Sequence, residues 1–361
     1  EAGQRRRQRK RRPHKPFAVM VADLTMAERH ALLNDAEREL LQSTAAPIVL
    51  LSWRESSNIA RAVGPDTRKI GIMLPYTPLH HILLADTGVP LVMTSGNLSE
   101  EPIARDNDEA LRRLGRIADF FLLHDRGIYA RYDDSVWFVP LSGPQPMRRA
   151  RGYAPFPIRL PFKARPMLAC GAELKNTFCL TRDEYAFLSQ HIGDMQNLET
   201  VEHYGATVAL YQRLFHVQPE LIVCDMHPDY EATRFGQSLS GDHLQVQHHH
   251  AHLAACLADN GCYDPVIGVI MGGTGLGLDG HIWGGEFLVG DGRGFQRAAH
   301  LQYLPLPGGD QAVRKPYRIA LAYLWALLGD VDVPPTLRRV TEQERRTLAK
   351  MVERGLNTPL T

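Results

Sequence analysis

Cysteine is scarce in this chain of 361 residues: Cys170, Cys179, Cys224, Cys256 and Cys262 are an odd number, and none stands in a CxxC pair. That argues against a disulfide framework and against a cysteine zinc site, and a reducing cytoplasm is the compartment expected. An excess of charge of one sign is also missing. The 41 Lys and Arg against 40 Asp and Glu leave a net +1, so no generally basic surface exists for coating nucleic acid, and any anion binding must be local. Long hydrophobic runs are absent as well. The stretch Ile70–Ala85 has no Asp, Glu, Lys or Arg, yet it holds Pro75, Pro78, His80 and His81 and falls short of the roughly 20 apolar residues that span a bilayer. The N-terminal region offers no apolar segment of signal-peptide type. Ordinary apolar (44%) and charged (22%) fractions exclude collagen-like, low-complexity and wholly disordered chains, and the length predicts two or three domains.

The near-zero charge conceals a basic arm. Residues 1–16 carry eight Lys or Arg against one Glu, and the arm feeds straight into the apolar run Phe17–Val21. A run of cations is ordinarily a solvated tail, a localisation signal or a nonspecific nucleic-acid arm. Here Pro13 and Pro16 and the adjoining strand give it a fixed path, so Lys10, Arg12 and Lys15 are candidates for holding a phosphate-bearing ligand.

Beyond the arm, a helix is predicted from Thr25 to about Leu41 with Thr25 and Glu28 in capping-box spacing, then strands at Ile48–Leu51 and Val89–Val92 and a helix over Asp106–Leu114. Alternating strands and helices predict an α/β domain. Seven prolines between Pro140 and Pro166 mark a boundary, with 151–166 as linker. The second half restarts with a hairpin, Met167–Cys170 and Phe178–Leu180, around the turn Lys175-Asn176-Thr177. A helix follows over Tyr204–Leu214 and a strand over Leu221–Cys224. A histidine-bearing helix then ends at Gly261, a strand covers Val266–Met271, a glycine turn leads to Ile282–Val289, and a helix runs from Pro316 to Leu328.

Three constellations carry chemistry. Ser95-Gly96-Asn97 ends an apolar run, where open α/β sheets bind ligands, although an ordinary turn has the same composition. His248-His249-His250-Ala251-His252 places His248 and His252 at i and i+4, able to chelate a metal through two imidazoles with the remaining ligands from elsewhere; His249 stands where a zincin would carry its glutamate. Gly272 to Gly280 contains a formal GxGxxG, but a strand rather than a helix follows it, which argues against a dinucleotide fold; Gly273, Thr274 and Gly275 are left as a hairpin that can cradle phosphate. Together with the Lys175-Asn176-Thr177 turn, this set suggests an actin-like, sugar-kinase-like ATPase site.

On these motifs, and on Leu74–His80, Thr94–Pro102, Asp133–Val136, Arg148–Pro155, Gln190–Asp194, Asp225–Tyr230, Trp283–Glu286 and Leu306–Asp310, the chain resembles the HypF family of hydrogenase maturation carbamoyltransferases over essentially its whole length. The resemblance implies an α/β fold: a YrdC-like twisted domain over 1–150, whose basic arm (1–16) opens the first site, the linker 151–166, and over 167–361 the first part of an actin-like (ASKHA) ATPase-type carbamoyl transferase domain. It implies that carbamoyl phosphate and ATP form carbamoyl-adenylate, whose carbamoyl group passes to the C-terminal cysteine of the partner HypE. The nucleotide or adenylate would be held by Lys10, Arg12, Lys15, Ser95, Asn97, Lys175, Asn176, Thr177, Gly273, Thr274 and Gly275, and a divalent metal (Mg, Fe or Zn) by His248 and His252. No membrane and no nucleic-acid partner are expected. The family's acylphosphatase-like, zinc-finger and C-terminal parts have no match here, so the sequence reads as a fragment. Gly272 stands where the family has an acidic residue. The alternatives are a tRNA threonylcarbamoylation enzyme built from the same two folds, or a nucleic-acid-binding module using the basic arm.

Overall fold

The computed structural model describes residues 2–10, 15–65, 67–98, 101–329, 334–337 and 340–361. It divides into two compact units, Glu1–Cys224 with Tyr230–His243 and Asp225–Asp229 with Leu244–Thr361.

The first unit opens with helix α1 (Ala2–Arg9) and the short strand β1 (Ala18–Met20). The single helix expected from Thr25 to Leu41 is two. Asp23, not Thr25, caps α2 (Leu24–His30) by accepting from the Met26 N–H, and a capping box between Asn34 and Glu37 opens α3 (Asp35–Gln42). Short polar side chains that bond their own backbone start each helix, and strand β2 (Ala31–Leu32) lies between them. There follow β3 (Ile48–Trp53), β4 (Lys69–Met73), α4 (Pro78–Thr87), β5 (Leu91–Met93), α5 (Asn107–Leu114), β6 (Val136–Phe138) and β7 (Gln145–Arg148). These strands form one mixed sheet in the order β5-β1-β4-β3-β6-β7, with β2 paired to β3. Alternation along β3 buries Val49, Leu51 and Trp53 against Val19, Ile70 and Ile72, which makes this face the core.

A second sheet, ordered β11-β10-β8-β9, comprises β8 (Ile158–Ala169), β9 (Cys179–Leu188), β10 (Leu221–Asp225) and β11 (Asp242–Val246), with α6 (Leu198–Phe215) and α7 (Glu231–Gln237) in the connections. The expected hairpin is present, Leu168 facing Leu180 and Ala169 facing Cys179. It begins earlier than the proline count suggested: from Ile158 onward the segment read as linker is strand. Pro161 and Pro166 fall in the two intervals where the β8–β9 register shifts, so neither is required to donate to a regular ladder. Phe178, Tyr204 and Tyr211 form the aromatic centre of this core, each edge-to-face with a neighbour.

The second unit contains α8 (His248–Asp259), β12 (Val266–Leu276), β13 (Ile282–Gly290), β14 (Phe295–His300), α9 (Asp310–Arg314), α10 (Tyr317–Leu328) and α11 (Glu342–Arg354). Gln247 caps α8, and Gly261, at φ +61°, ends it from the C′ position as predicted. Leu253 and Leu257 of α8 pack on Trp283 and Leu288 of the β12-β13-β14 sheet. One expectation is corrected here. β12 does not stop at Met271 but passes an irregularity at 272–274, and Gly275 and Leu276 still pair with Trp283 and Ile282. The reversal is made by Gly277–His281, closed by the Gly277 N–H donating to the His281 carbonyl at 2.8 Å. Among the described residues, no helix is long and apolar enough to cross a membrane.

Candidate functional sites

The described part of the basic arm is docked through Arg7 and Lys10. Arg7 and Lys10, three apart, share one face of the α1 turn, and only 8% and 1% of their surfaces are exposed. Arg7 donates through all three guanidinium nitrogens to carbonyls, Nε to Ala62 (2.8 Å), one terminal nitrogen to Lys15 (2.9 Å) and the other to Val63 (3.0 Å), and its guanidinium lies over the Phe17 ring. Lys10 Nζ donates to Thr94 Oγ1 (2.9 Å), the Ser95 carbonyl (2.6 Å) and Asn97 Oδ1 (3.2 Å). These three oxygens fix the position of the Lys10 side chain at the end of β5. Ser95 Oγ donates to Asn97 Oδ1 at 2.7 Å, and Asn97 Nδ2 to the Glu101 carbonyl at 2.6 Å. Lys10, Ser95 and Asn97 are thus brought together as expected. Lys15 is exposed, contributing its carbonyl to Arg7, and Arg12 lies outside the described residues. Arg7 was not singled out, because nothing within a run of cations marks the one that is an anchor.

Three of the other motifs meet in the same unit. Asp134 accepts from Arg151 Nε (2.8 Å) and from the Tyr76 hydroxyl (3.2 Å), while the Arg151 guanidinium lies 3.4 Å from the Tyr76 ring centroid. Burial and the Asp134 charge push the Tyr76 hydroxyl up to about 12, so it stays a donor at neutral pH.

In the turn between β8 and β9 the three predicted residues part company. Asn176 is buried, and its amide donates to the carbonyls of Cys170 (3.1 Å) and Ala172 (2.6 Å), so it ties the turn together from within. Lys175, held at φ +49°, and Thr177 face outward into a cleft of about 280 Å³ shared with Arg148, Arg149 and His191.

The four histidines of α8 separate by role. His248 and His252 face one another with their Nε2 atoms 3.2 Å apart, and His248 Nδ1 is 2.8 Å from Asp225 Oδ2. A carboxylate on Nδ1 fixes the tautomer that leaves Nε2 to bind something else, the arrangement found behind metal-ligating histidines. Asp225 is itself oriented by the His227 N–H on its other oxygen. It was missed as His248's partner, although an aspartate closing an apolar strand was a visible signal. His249 is fully buried beside Trp283, and burial, reinforced by His248, holds its imidazole down to about 4. His250 Nε2 lies 2.7 Å from the Asp291 carbonyl. Gly275 presses on the pair: a Cβ there would lie 2.8 Å from His248 Cβ and 2.9 Å from two of its ring carbons. Gly273 is exposed and Thr274 half-buried in the irregular part of β12, and a Cβ at Gly272 would meet only Ile270 at 3.8 Å. Among the described residues no three His, Cys, Asp or Glu side chains are grouped to hold a metal ion.

A mixed α/β unit with a lysine loop of YrdC type, and a histidine pair on a helix facing a three-stranded sheet, define a protein that couples a YrdC-like domain to an actin-like transferase domain. Three family models match in that order: a telomere recombination model of the Sua5, YciO and YrdC type over residues 1–150, the HypF Kae1-like domain over 162–259, and the second subdomain of the carbamoyltransferase Kae1-like domain over 268–361. The chain is 45% identical over 332 residues to carbamoyltransferase HypF of Synechocystis sp., matching 91% of this chain and 43% of that protein. It is 43% identical over 382 residues to carbamoyltransferase HypF2 of Cupriavidus necator, matching all of this chain and 47% of that one. A crystal structure of full-length HypF in a phosphate- and nucleotide-bound form superposes with a TM-score of 0.94 at 42% identity, covering 99% of this chain and 47% of the other. The chain belongs to the HypF family, and it spans about half the length of the curated relatives it matches.

Proposed function

We propose that this chain carries the nucleotide-handling part of a HypF-type carbamoyltransferase of hydrogenase maturation, with a YrdC-like domain over 1–150, a connecting segment that ends where β8 begins at Ile158, and a transferase-like domain from there to 361. The observation that carries the reading is the buried Lys10 ammonium, positioned by Thr94, Ser95 and Asn97. A lysine held in place at the end of β5 adds a fixed positive charge behind the Ser95–Asn97 loop, which suits binding of the phosphates of carbamoyl phosphate and ATP for formation of carbamoyl-adenylate. The capture of a relative with phosphate and nucleotide bound supports ATP as the ligand. Lys15 and Arg12 complete the cationic arm in this reading, and Gly273, Thr274 and Gly275 lie near the histidine pair as the second nucleotide contact.

His248 and His252 fit two positions of a divalent metal site, with Asp225 orienting the first; a bound Mg, Fe or Zn ion would supply Lewis acidity toward an oxygen of the nucleotide or carbamoyl group. The residues present bind and orient. Lys10 offsets phosphate charge, Ser95 and Asn97 hold Lys10 in place, and the carbamoyl group is expected to leave to the C-terminal cysteine of HypE.

Isothermal titration with ATP tests the reading. Lys10→Ala should weaken binding about tenfold or more in moderate salt, the loss expected for one buried charge-assisted contact. Arg5→Ala, at an exposed position of the same arm, should change it less than twofold. Equal losses in both variants would reduce the arm to a diffuse charge. AMP release with threonine plus bicarbonate in place of carbamoyl phosphate would move the chain to the threonylcarbamoylation class.

A further inference from the structure

Asp279 is the one charged residue in the glycine-rich stretch 272–280, and neither the phosphate reading of that stretch nor the histidine pair uses it. Its carboxylate gathers four donors. Oδ1 accepts from the His281 N–H (3.1 Å) and the Trp283 indole N–H (2.9 Å), and Oδ2 from the Tyr303 hydroxyl (2.6 Å) and Arg297 (3.0 Å). An ionised carboxylate offers about four lone-pair sites, so these donors fill it. That argues against Asp279 standing in as a metal ligand for the acidic residue that Gly272 replaces, because a carboxylate with both oxygens engaged has none left for an ion.

The four donors come from the turn, from β13, from β14 and from the segment beyond it, so one side chain gathers the open end of the three-stranded sheet. Arg297 is itself fixed twice over: it donates to both oxygens of the buried Glu286 at 2.6 and 2.9 Å, and its guanidinium lies 4.0 Å from the Trp283 ring centroid. Glycine is required inside this closure. A Cβ at Gly277 would strike both the Trp283 indole nitrogen and Asp279 Oδ1.

The same hairpin end seats the start of α8. Gly275, paired across the hairpin with Trp283, lies against His248. The next residue, Leu276, gives its carbonyl to the side-chain amide of Gln247 (3.1 Å), the residue that caps the helix. The buried His249 ring sits 6.0 Å from that of Trp283. Gln247, His248 and His249 thus each rest on the piece of hairpin that the carboxylate closes.

We propose that Asp279 is a positioning residue for the histidine pair: by closing the hairpin end around Trp283 it fixes the surface on which His248 is seated, and with it the direction of the His248 Nε2 lone pair. Asp225 then sets the tautomer on one side of the ring while the hairpin holds the other. The inference rests on the metal reading of the histidine pair only for what is bound there.

The test has two readouts in the full chain. Long-range ¹H–¹⁵N correlation of the metal-free protein reports the imidazole tautomers, and the parent should show His248 protonated at Nδ1, the nitrogen facing Asp225. Co²⁺ titration reports the pair as a ligand. Asp279→Ala should mix the His248 tautomers and lower Co²⁺ affinity about tenfold or more, the usual cost of a lost outer support. Asp279→Asn keeps an oxygen for the His281 and Trp283 N–H groups, so it should restore the parental tautomer and return affinity to within about threefold. Thermal unfolding is followed alongside. A residue that only stabilised the fold would lower the midpoint in Asp279→Ala and leave both readouts at parental values, and that result overturns the proposal. Equal losses in the alanine and asparagine variants overturn it too, as does a parent whose His248 is already a tautomer mixture. Should Asp279→Ala fail to fold, Tyr303→Phe, which withdraws one donor of the four, should move both readouts in the same direction by a smaller amount; parental values there overturn the proposal. A parent that binds no Co²⁺ removes the metal reading, and the tautomer comparison alone then decides whether Asp279 positions His248.

Discussion

Residues 7 and 10 stand in one run of arginines and lysines and have opposite duties. Arg7 ends on three carbonyls, so its removal strands acceptors that water must reach by opening the contact. Arg7→Ala should cost α1 about 2 kcal/mol of local stability, seen as faster amide exchange in residues 5–10, and should weaken ATP binding indirectly by releasing Lys10. Unchanged exchange would show that α1 is held by something else. His203 offers a different measurement. Burial first, and then Arg131, bring its imidazole down to about 4, against an ordinary value near 6.5. The folded form prefers the neutral ring, so this contribution is constant above pH 6.5, falls as the pH drops from 6.5 towards 4, and levels off below. Up to roughly 2 to 3 kcal/mol is lost over that window. In His203→Gln, denaturant titrations between pH 7 and 4 should show a shallower decline by up to one proton. An identical slope would mean that His203 is solvated. The candidate residues Lys10, Ser95, Asn97, His248 and His252 were legible because each is a reactive type in a short motif. Arg7 and Asp225 were not, because the first is masked by like neighbours and the second lies more than twenty residues from the histidine it orients.

Among the elements, boundaries marked by an apolar period were readable and those made by side-chain caps or bulges were not. The α8 helix and the β8–β9 hairpin follow from pattern, whereas the split into α2 and α3 depends on two capping aspartate and asparagine side chains, and the run of β8 through its prolines depends on register shifts that no local window contains. The glycines of β12 illustrate the same point. Equivalent by composition, they differ in what a methyl group would strike. Gly275→Ala should force His248 aside and lower Co²⁺ or Zn²⁺ affinity about tenfold or more, the usual cost of disturbing a ligand's support. Gly273→Ala meets nothing within 4 Å and should bind the metal as the parent does. Equal affinities in the two would detach the histidine pair from metal binding or show that α8 yields easily.

At the scale of the whole molecule, the aliphatic core behind β3 and the aromatic cluster around Phe178 belong to the first unit, and the Trp283 cluster and the α10–α11 contact belong to the second. Separate cores predict separate cooperativity, so calorimetry should give a total enthalpy larger than the van't Hoff value of the main transition. Equal enthalpies would establish a single cooperative block.

The route of the chain between the units sets terms for anyone who wishes to cut it. It leaves the first unit after Cys224, returns at Tyr230 and departs again after His243, so a five-residue excursion delivers Asp225. A clone beginning at residue 244 would encode all four helix histidines yet lack the carboxylate that orients His248, and one ending at 224 would forfeit α7. Neither half can be expressed intact by a single truncation, and a divided gene would have to duplicate residues 225–243 in both pieces.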